Sequence, residues 1–401
     1  MSTNFNDVPI MKISRGREFL HTPGPTNMPD QILKAIARPA IDHRGEEFQL
    51  LAEECFEGLR DIFKTKYPVL VYPSAGHGAW EAALVNTCSP GDKVLMAETG
   101  AFSDQWKSMA EALGLSVIYL PGDWRHGPDP DLIFDHLVKD TSHKIKAVAV
   151  VHNETSTGVT TRLVEVRNAI DSANHPALFF VDTISSLASI DFQMDEWKVD
   201  VAVGGSQKGL MLPPGLSFNG VSKKAWAFTQ SSQLPRKYWD WRALMPDGET
   251  PGFLSTPAIN MFFGLQVSIR MIKEEGLENV FDRHAQLAGA VRKAISHWGA
   301  AGGLELISLD PREHSNSVSA VLLTKGHSAD TLRKRCKNNT NVTLAAGLGR
   351  FAGKVFRIGH LGDLNEPMVC GTLAAVEMTL KQEGIPYQPG GVTAAIDYLS
   401  S

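Results

Sequence analysis

Short apolar runs alternate with longer segments of helical period over the first two-thirds of the chain. The runs fall at 67–72, 93–97, 116–120, 145–151, 177–182, 199–204 and 216–221. Between them, 78–86, 104–113, 130–138 and 163–173 are each long enough for a helix. Strand-length runs separated by helices predict an α/β fold built on a mostly parallel sheet. Both faces of each run are apolar, so helices must cover the sheet on both sides.

The pattern changes after about residue 255. Residues 259–275 and 279–299 have the period of long helices. Beyond them come a strand at 317–324, a helix at 328–337, a strand at 354–358 and a terminal helix at 365–383. This predicts a smaller C-terminal α+β domain over 277–401, a large domain over 21–276 and a polar N-terminal arm over 1–20. Residues 230–255, with Trp239, Trp241 and several prolines, form an irregular connection.

Composition narrows the function. The chain has 401 residues, with 39 Lys and Arg against 44 Asp and Glu, a net charge of −5. That balance offers no broad electrostatic surface for nucleic acid or an anionic membrane. Cys55, Cys88, Cys336 and Cys370 lie far apart with no C-x-x-C pair, which predicts neither a disulfide framework nor a metal site. There is no apolar run of about 18 residues to span a bilayer. The N-terminus lacks the apolar segment of a signal peptide, and a cytoplasmic location is expected.

Four predicted strand ends carry unusual residues, and strand ends are where open α/β sheets bind ligands. Ser74-Ala-Gly-His-Gly78 leads from a strand into a helix. Such small residues let backbone N–H groups approach an anion, although a plain tight turn needs the same residues. Asp182 closes the run ALFFVD and would hold a cationic ring nitrogen, or else act as an N-cap for the segment after it. Lys208, between glycines and Leu-Met-Leu-Pro-Pro, would be poorly solvated and so a nucleophile or base, unless the loop is exposed. Arg357 interrupts an apolar strand and needs either a substrate carboxylate or a structural acidic partner. Together, an anion cradle, a carboxylate, an amine and a guanidinium describe a site for pyridoxal phosphate and an amino acid.

The sequence also resembles the class V, fold-type I pyridoxal-phosphate aminotransferases, in particular the serine–, alanine– and aspartate–glyoxylate group. The resemblance rests on Thr22-Pro-Gly-Pro-Thr-Asn27, Ile41-Asp-His-Arg44, Trp80-Glu-Ala-Ala-Leu-Val-Asn86 with Ser89-Pro-Gly-Asp92, and His152-Asn-Glu-Thr-Ser-Thr-Gly-Val159. It continues in Phe180-Val-Asp-Thr-Ile-Ser-Ser186, Gly205-Ser-Gln-Lys-Gly-Leu210, Glu275-Gly-Leu-Glu-Asn279 and Ala352-Gly-Lys-Val-Phe-Arg-Ile-Gly-His360, in the family's order. It implies that Lys208 links to the cofactor aldehyde and later moves the substrate Cα proton, while Asp182 pairs with the pyridine nitrogen. Ala75, Gly76 and His77 would hold the phosphate with Gln207, and Thr155 the ring hydroxyl. Phe102 and Ile184 would pack the two ring faces. Arg357 would bind the substrate α-carboxylate beside the Pro23-Gly24-Pro25 turn. In this family the site is shared across a homodimer, and Thr256 matches a residue that reaches the partner's phosphate. Where the family carries a tyrosine hydroxyl beside it, this sequence has Phe253-Leu254-Ser255. The implied reaction is a ping-pong transamination from serine, alanine or aspartate to glyoxylate or another small 2-oxo acid. A cysteine desulfurase or lyase on the same fold would instead need a thiol over the cofactor, and a silent binding protein would lack bound cofactor.

Overall fold

The computed structural model describes residues 16–324 and 326–401 and contains two main β-sheets. Of the polar arm expected over 1–20, residues 1–15 lie outside the described residues. The chain begins with β1 (Phe19–His21), α1 (Asp30–Ile36) and α2 (Glu46–Phe63). In α2 the apolar Phe48, Leu51, Ala52, Cys55, Leu59 and Ile62 recur every three or four residues and are all buried. Glu46 and Glu47 in its first turn complement the helix dipole.

Strand and helix then alternate as the sequence predicts: β2 (Val69–Tyr72), α3 (Gly76–Thr87), β3 (Lys93–Ala97), α4 (Ala101–Ala112), β4 (Ser116–Leu120), α5 (Pro130–Lys139) and β5 (Ile145–Val151). A two-strand hairpin, β6 (Asn153–Glu154) and β7 (Val159–Thr160), precedes α6 (Leu163–Ser172), β8 (Leu178–Asp182), β9 (Val201–Gly205) and β10 (Ser217–Val221). The seven-stranded sheet runs β2-β10-β9-β8-β5-β3-β4. Only β10 is reversed, antiparallel to both β2 and β9. Successive side chains alternate between faces. Leu178 and Phe180 therefore join Val94, Met96 and Trp80 in one core, while Phe179 and Val181 join Leu95, Val148 and Phe63 in another. Truncating a ring such as Phe179 to alanine would cost about 3–5 kcal/mol.

The remaining elements are α7 (Lys223–Phe228), α8 (Trp241–Leu244), α9 (Ile259–Glu275), α10 (Leu277–Gly299), β11 (Leu304–Leu306), β12 (Val318–Leu323), α11 (Ala329–Thr340), β13 (Val342–Ala346), β14 (Val355–Gly359), α12 (Glu366–Gln382) and α13 (Gly391–Leu399). The second sheet runs β1-β13-β14-β12-β11, with β1 parallel to β13 and its other pairs antiparallel. An edge strand from the N-terminal segment thus completes the sheet of the C-terminal third. It carries Thr22–Pro25 across the end of β14, where a Cβ on Gly359 would lie 2.6 Å from Pro23 N. The helix expected to end the chain is not terminal, because α13 comes after it. Gly391 begins that helix and Ala395 is buried in the core that α10 also lines.

Candidate active site

Register brings the C-terminal ends of β5, β8 and β9 side by side, with Val151 opposite Asp182 and Asp182 opposite Val203. Asp182 shares the face of Phe180, so its carboxylate points toward α3 and α4. It is 4% exposed and accepts the Ile184 N–H at 2.7 Å. Burial pushes its pKa up to about 7; the Ile184 N–H and the Lys208 charge oppose the rise, and Glu154 adds to it.

Lys208 lies three residues beyond β9. Its amino group is buried and donates to the Pro23 carbonyl. Burial lowers its pKa to about 8, helped by the Arg357 charge and opposed by Asp182 and Glu154. Roughly a tenth of such an amine is free at pH 7, against well under a thousandth for an ordinary lysine. Gly24 makes this approach possible, since its φ is +117° and a Cβ would lie 2.6 Å from Lys208 Nζ.

Arg357 sits in β14 between Phe356 and Ile358 and is 7% exposed. Its Nε donates to Ala346 O at 2.7 Å and its Nη1 to Thr155 O at 2.7 Å, which ties the second sheet to the hairpin after β5. A guanidinium has five N–H donors, so part of the fork remains for an anion. Burial lowers its pKa to about 10, with Glu154 opposing.

Glu154 supports the site from outside the cavity, and the sequence does not reveal it. It is fully buried and accepts the N–H groups of Phe102 at 3.2 Å and Ser103 at 3.1 Å, at the N-terminus of α4. Ser156 Oγ donates to it at 2.6 Å. A carboxylate is favoured there by the helix dipole, and burial raises its pKa. This contact fixes the start of the helix that carries Phe102.

Gly24, Pro25, Gly76, His77, Phe102, Thr155, Asp182, Ile184, Gln207 and Lys208 line one cavity of about 230 Å3. Ala75 is the N-cap residue of α3, directly before Gly76. Pro23 contributes its carbonyl, and Arg357 adjoins the cavity through Thr155. Thr256 is not brought to it. That residue is exposed and lines a separate groove of about 850 Å3 between α2 and residues 249–257, with Phe48, Phe56 and Phe253. Trp80, Asn153, Ser185 and Pro214 also line the cavity and were not expected as site residues. For Trp80 a signal existed: it lies four residues after Gly76, one turn along the same helix face. None of the four cysteines lines the cavity. Among the described residues no group of three or more His, Cys, Asp or Glu is arranged to hold a metal, and no helix is long and apolar enough to cross a membrane.

A mostly parallel sheet with a lysine and an aspartate at neighbouring strand ends, and a smaller sheet packed beside it, is the architecture of fold-type I pyridoxal-phosphate-dependent transferases. Comparison with known proteins narrows this further. The chain belongs to the aminotransferase class V family, whose model matches residues 19–350, and it is an enzyme of that type. It is 44% identical over 391 residues to serine–glyoxylate aminotransferase of Methylorubrum extorquens, covering 96% of each chain. It is 43% identical over 378 residues to L-aspartate–glyoxylate aminotransferase of Paracoccus denitrificans, covering 94% of each. Among solved structures it is similar to ureidoglycine–glyoxylate aminotransferase from Bacillus subtilis, with a TM-score of 0.87 and 27% identity over 97% of this chain and 100% of that one.

Proposed function

We propose that this enzyme is a cytoplasmic, homodimeric, pyridoxal-phosphate-dependent transaminase. It takes the amino group of a small amino acid, serine first and alanine or aspartate after it, and passes it to glyoxylate or another small 2-oxo acid by a ping-pong cycle. Glyoxylate would leave as glycine. The relatives' printed activities support the substrates. The observation that carries the reading is the buried Lys208 amine and Asp182 carboxylate facing one small cavity.

The residues present fit the cofactor. Gln207 is at the cavity with its Oε1 unpaired, so its amide is free to turn its Nε2 donors toward a phosphate, and α3 begins there at Gly76, whose lack of a Cβ lets Ile184 pack against it. Bound pyridoxal phosphate would supply an aldehyde to take the amino group and a ring to accept electrons from the Cα–H bond. Lys208, with its lowered pKa, would accept the proton that leaves the substrate Cα and hold it for return in the second half of the cycle. Asp182 holds a proton on the ring nitrogen. Gly76 and His77 would bind the phosphate with Gln207, Ala75 would shape the turn, and Thr155 would hold the ring hydroxyl. Phe102 and Ile184 enclose the ring and exclude water. The spare edge of the Arg357 fork binds the α-carboxylate, with the Pro23-Gly24-Pro25 turn closing that side.

In this reading residues 21–276 carry the large cofactor-binding domain and 277–401 the smaller one, whose sheet β1 completes at its edge. The groove beside Thr256 is then the seat of a second copy, whose cavity Thr256 completes. Phe48, Phe56 and Phe253, clustered there with ring centroids 5.7 Å apart in two of the pairs, support that use. The test is a panel of amino donors against glyoxylate, pyruvate and 2-oxoglutarate, following the absorbance of bound cofactor. Serine with glyoxylate is expected to turn over fastest. A protein that binds no pyridoxal phosphate and transfers with no pair overturns the reading.

A further inference from the structure

Trp80 carries a buried indole N–H that makes no hydrogen bond of ordinary geometry. It is fully buried in α3, stacked on Trp106 with centroids 5.6 Å apart and ring planes 12° apart, and its Nε1 has no hydrogen-bond partner of ordinary geometry. A buried donor left unpaired costs about 1–3 kcal/mol, so a chain that keeps one has a reason for it. Three observations supply the reason. Trp80 and Asp182 line the same cavity. They share one face of the sheet, because Leu178 and Phe180, which alternate with Phe179 and Val181, pack in the core that holds Trp80. Among the described residues the Asp182 side chain accepts one short hydrogen bond, from Ile184 N–H, and the Trp80 indole is the other donor that acts on it. The indole is also close enough to Asp182 to oppose the rise in its pKa.

We infer that Trp80 is a positioning residue for Asp182: its indole N–H donates to the carboxylate and holds it, ionised, toward the cavity. Asp182 needs such a donor. The charged groups that face it are Glu154, from the hairpin after β5, and Lys208, from the loop after β9. Lys208 also faces Arg357 of β14. The lysine and the like-charged glutamate pull the carboxylate in opposite directions, and burial favours its protonated form. A neutral N–H donor supports the anion without adding a charge that would compete with the ring nitrogen. The role of Asp182 toward pyridoxal phosphate rests on the function proposed above; the Trp80–Asp182 bond does not.

The test uses the full-length protein labelled with 15N-tryptophan, whose eight indole signals are followed from about pH 5 to about pH 9, with and without pyridoxal phosphate. Trp80→Phe identifies the Trp80 signal. Without cofactor that signal is expected to titrate with Asp182, and the titration to vanish in Asp182→Asn. Trp80→Phe is further expected to raise the Kd for pyridoxal phosphate about tenfold, while Trp106→Phe, which disturbs the same stack, changes it less than about twofold. If Trp80→Phe does not fold, Asp182→Asn alone decides, by whether one indole signal loses its titration. An indole set that ignores Asp182→Asn, or a Trp80→Phe protein that binds cofactor like wild type, overturns the inference. A wild-type protein that binds no cofactor while its indole signal still titrates would sink the proposed function and leave this bond standing.

Discussion

Two groups of buried ionisable side chains meet at the segment that runs from β1 through Pro25, and they are built on opposite rules. On one side His21, His284 and His360 are all but inaccessible. His21 Nδ1 pairs with Gly359 O at 3.0 Å. His284 Nδ1 pairs with Val280 O at 2.6 Å while its Nε2 accepts Gly362 N–H at 3.0 Å. His360 pairs with Asn316 O and Ser319 Oγ, both at 3.0 Å. Only His21 Nε2 is left without a partner. On the other side, Lys208, Asp182 and Arg357 are equally buried but keep donors or acceptors unspent. Burial with a filled set of partners makes structure, whereas burial with spare valences beside a cavity makes a site.

Substitutions test the distinction, because the site side should lose chemistry and the histidine side stability. Lys208→Ala is expected to lower kcat for serine and glyoxylate by at least about 10³-fold, the scale of a lost general base and amine. Absorbance after adding pyridoxal phosphate checks that the cofactor is still bound. A loss below tenfold would place Lys208 with the histidines. Asp182→Asn removes the charge but keeps the shape, and is expected to cost about 10²-fold in kcat, as for a charge-assisted hydrogen bond of about 3 kcal/mol. Arg357→Ala should mainly raise KM for the amino donor, by about tenfold to a hundredfold, with kcat less affected. Arg357→Lys should not restore it, since an ammonium cannot offer two parallel N–H groups. An unchanged donor KM would make Arg357 only the tie between the sheets that its bonds to Ala346 and Thr155 already provide.

Much of this was legible in the sequence, for identifiable reasons. The strands β3, β4 and β5 stand where their apolar runs fall, because a strand packed within a helix-covered sheet is made mostly of apolar residues. Lys208, Asp182 and Arg357 betrayed themselves as charges among apolar neighbours. Glu154 did not, since it stands in a polar stretch, Asn-Glu-Thr-Ser-Thr, where a carboxylate looks ordinary. Only the fold turns it inward onto the N-terminus of α4. Strand β1 was hidden for a similar reason: three residues carry no period, and their partner β13 lies more than three hundred residues away. Asp182 and Trp80 are likewise separated by most of the large sheet's sequence, so no local pattern links them. Thr256 is a different case, because the groove it lines gains a purpose only from a second chain.

The histidine side offers the mildest test, and it concerns pH. Burial lowers the pKa of His21 and His284 to about 4, and that of His360 well below its ordinary value. In the unfolded chain each would titrate near 6.5. Between these values the unfolded state binds a proton that the folded state refuses, so stability falls as pH falls through this window, the contributions of His21 and His284 levelling off near pH 4. Each histidine contributes at most about 1.4 kcal/mol per pH unit. Urea unfolding of wild type at pH 6 and pH 5 should therefore differ more than that of His21→Leu, by roughly 1 kcal/mol or a little more. His21→Leu also leaves Gly359 O without its donor, which lowers stability at every pH and so cancels from the slope. Equal slopes would mean that water reaches His21 through its unpaired Nε2, and the contrast between a filled and an unfilled set of partners would then fail on the side where it looks strongest.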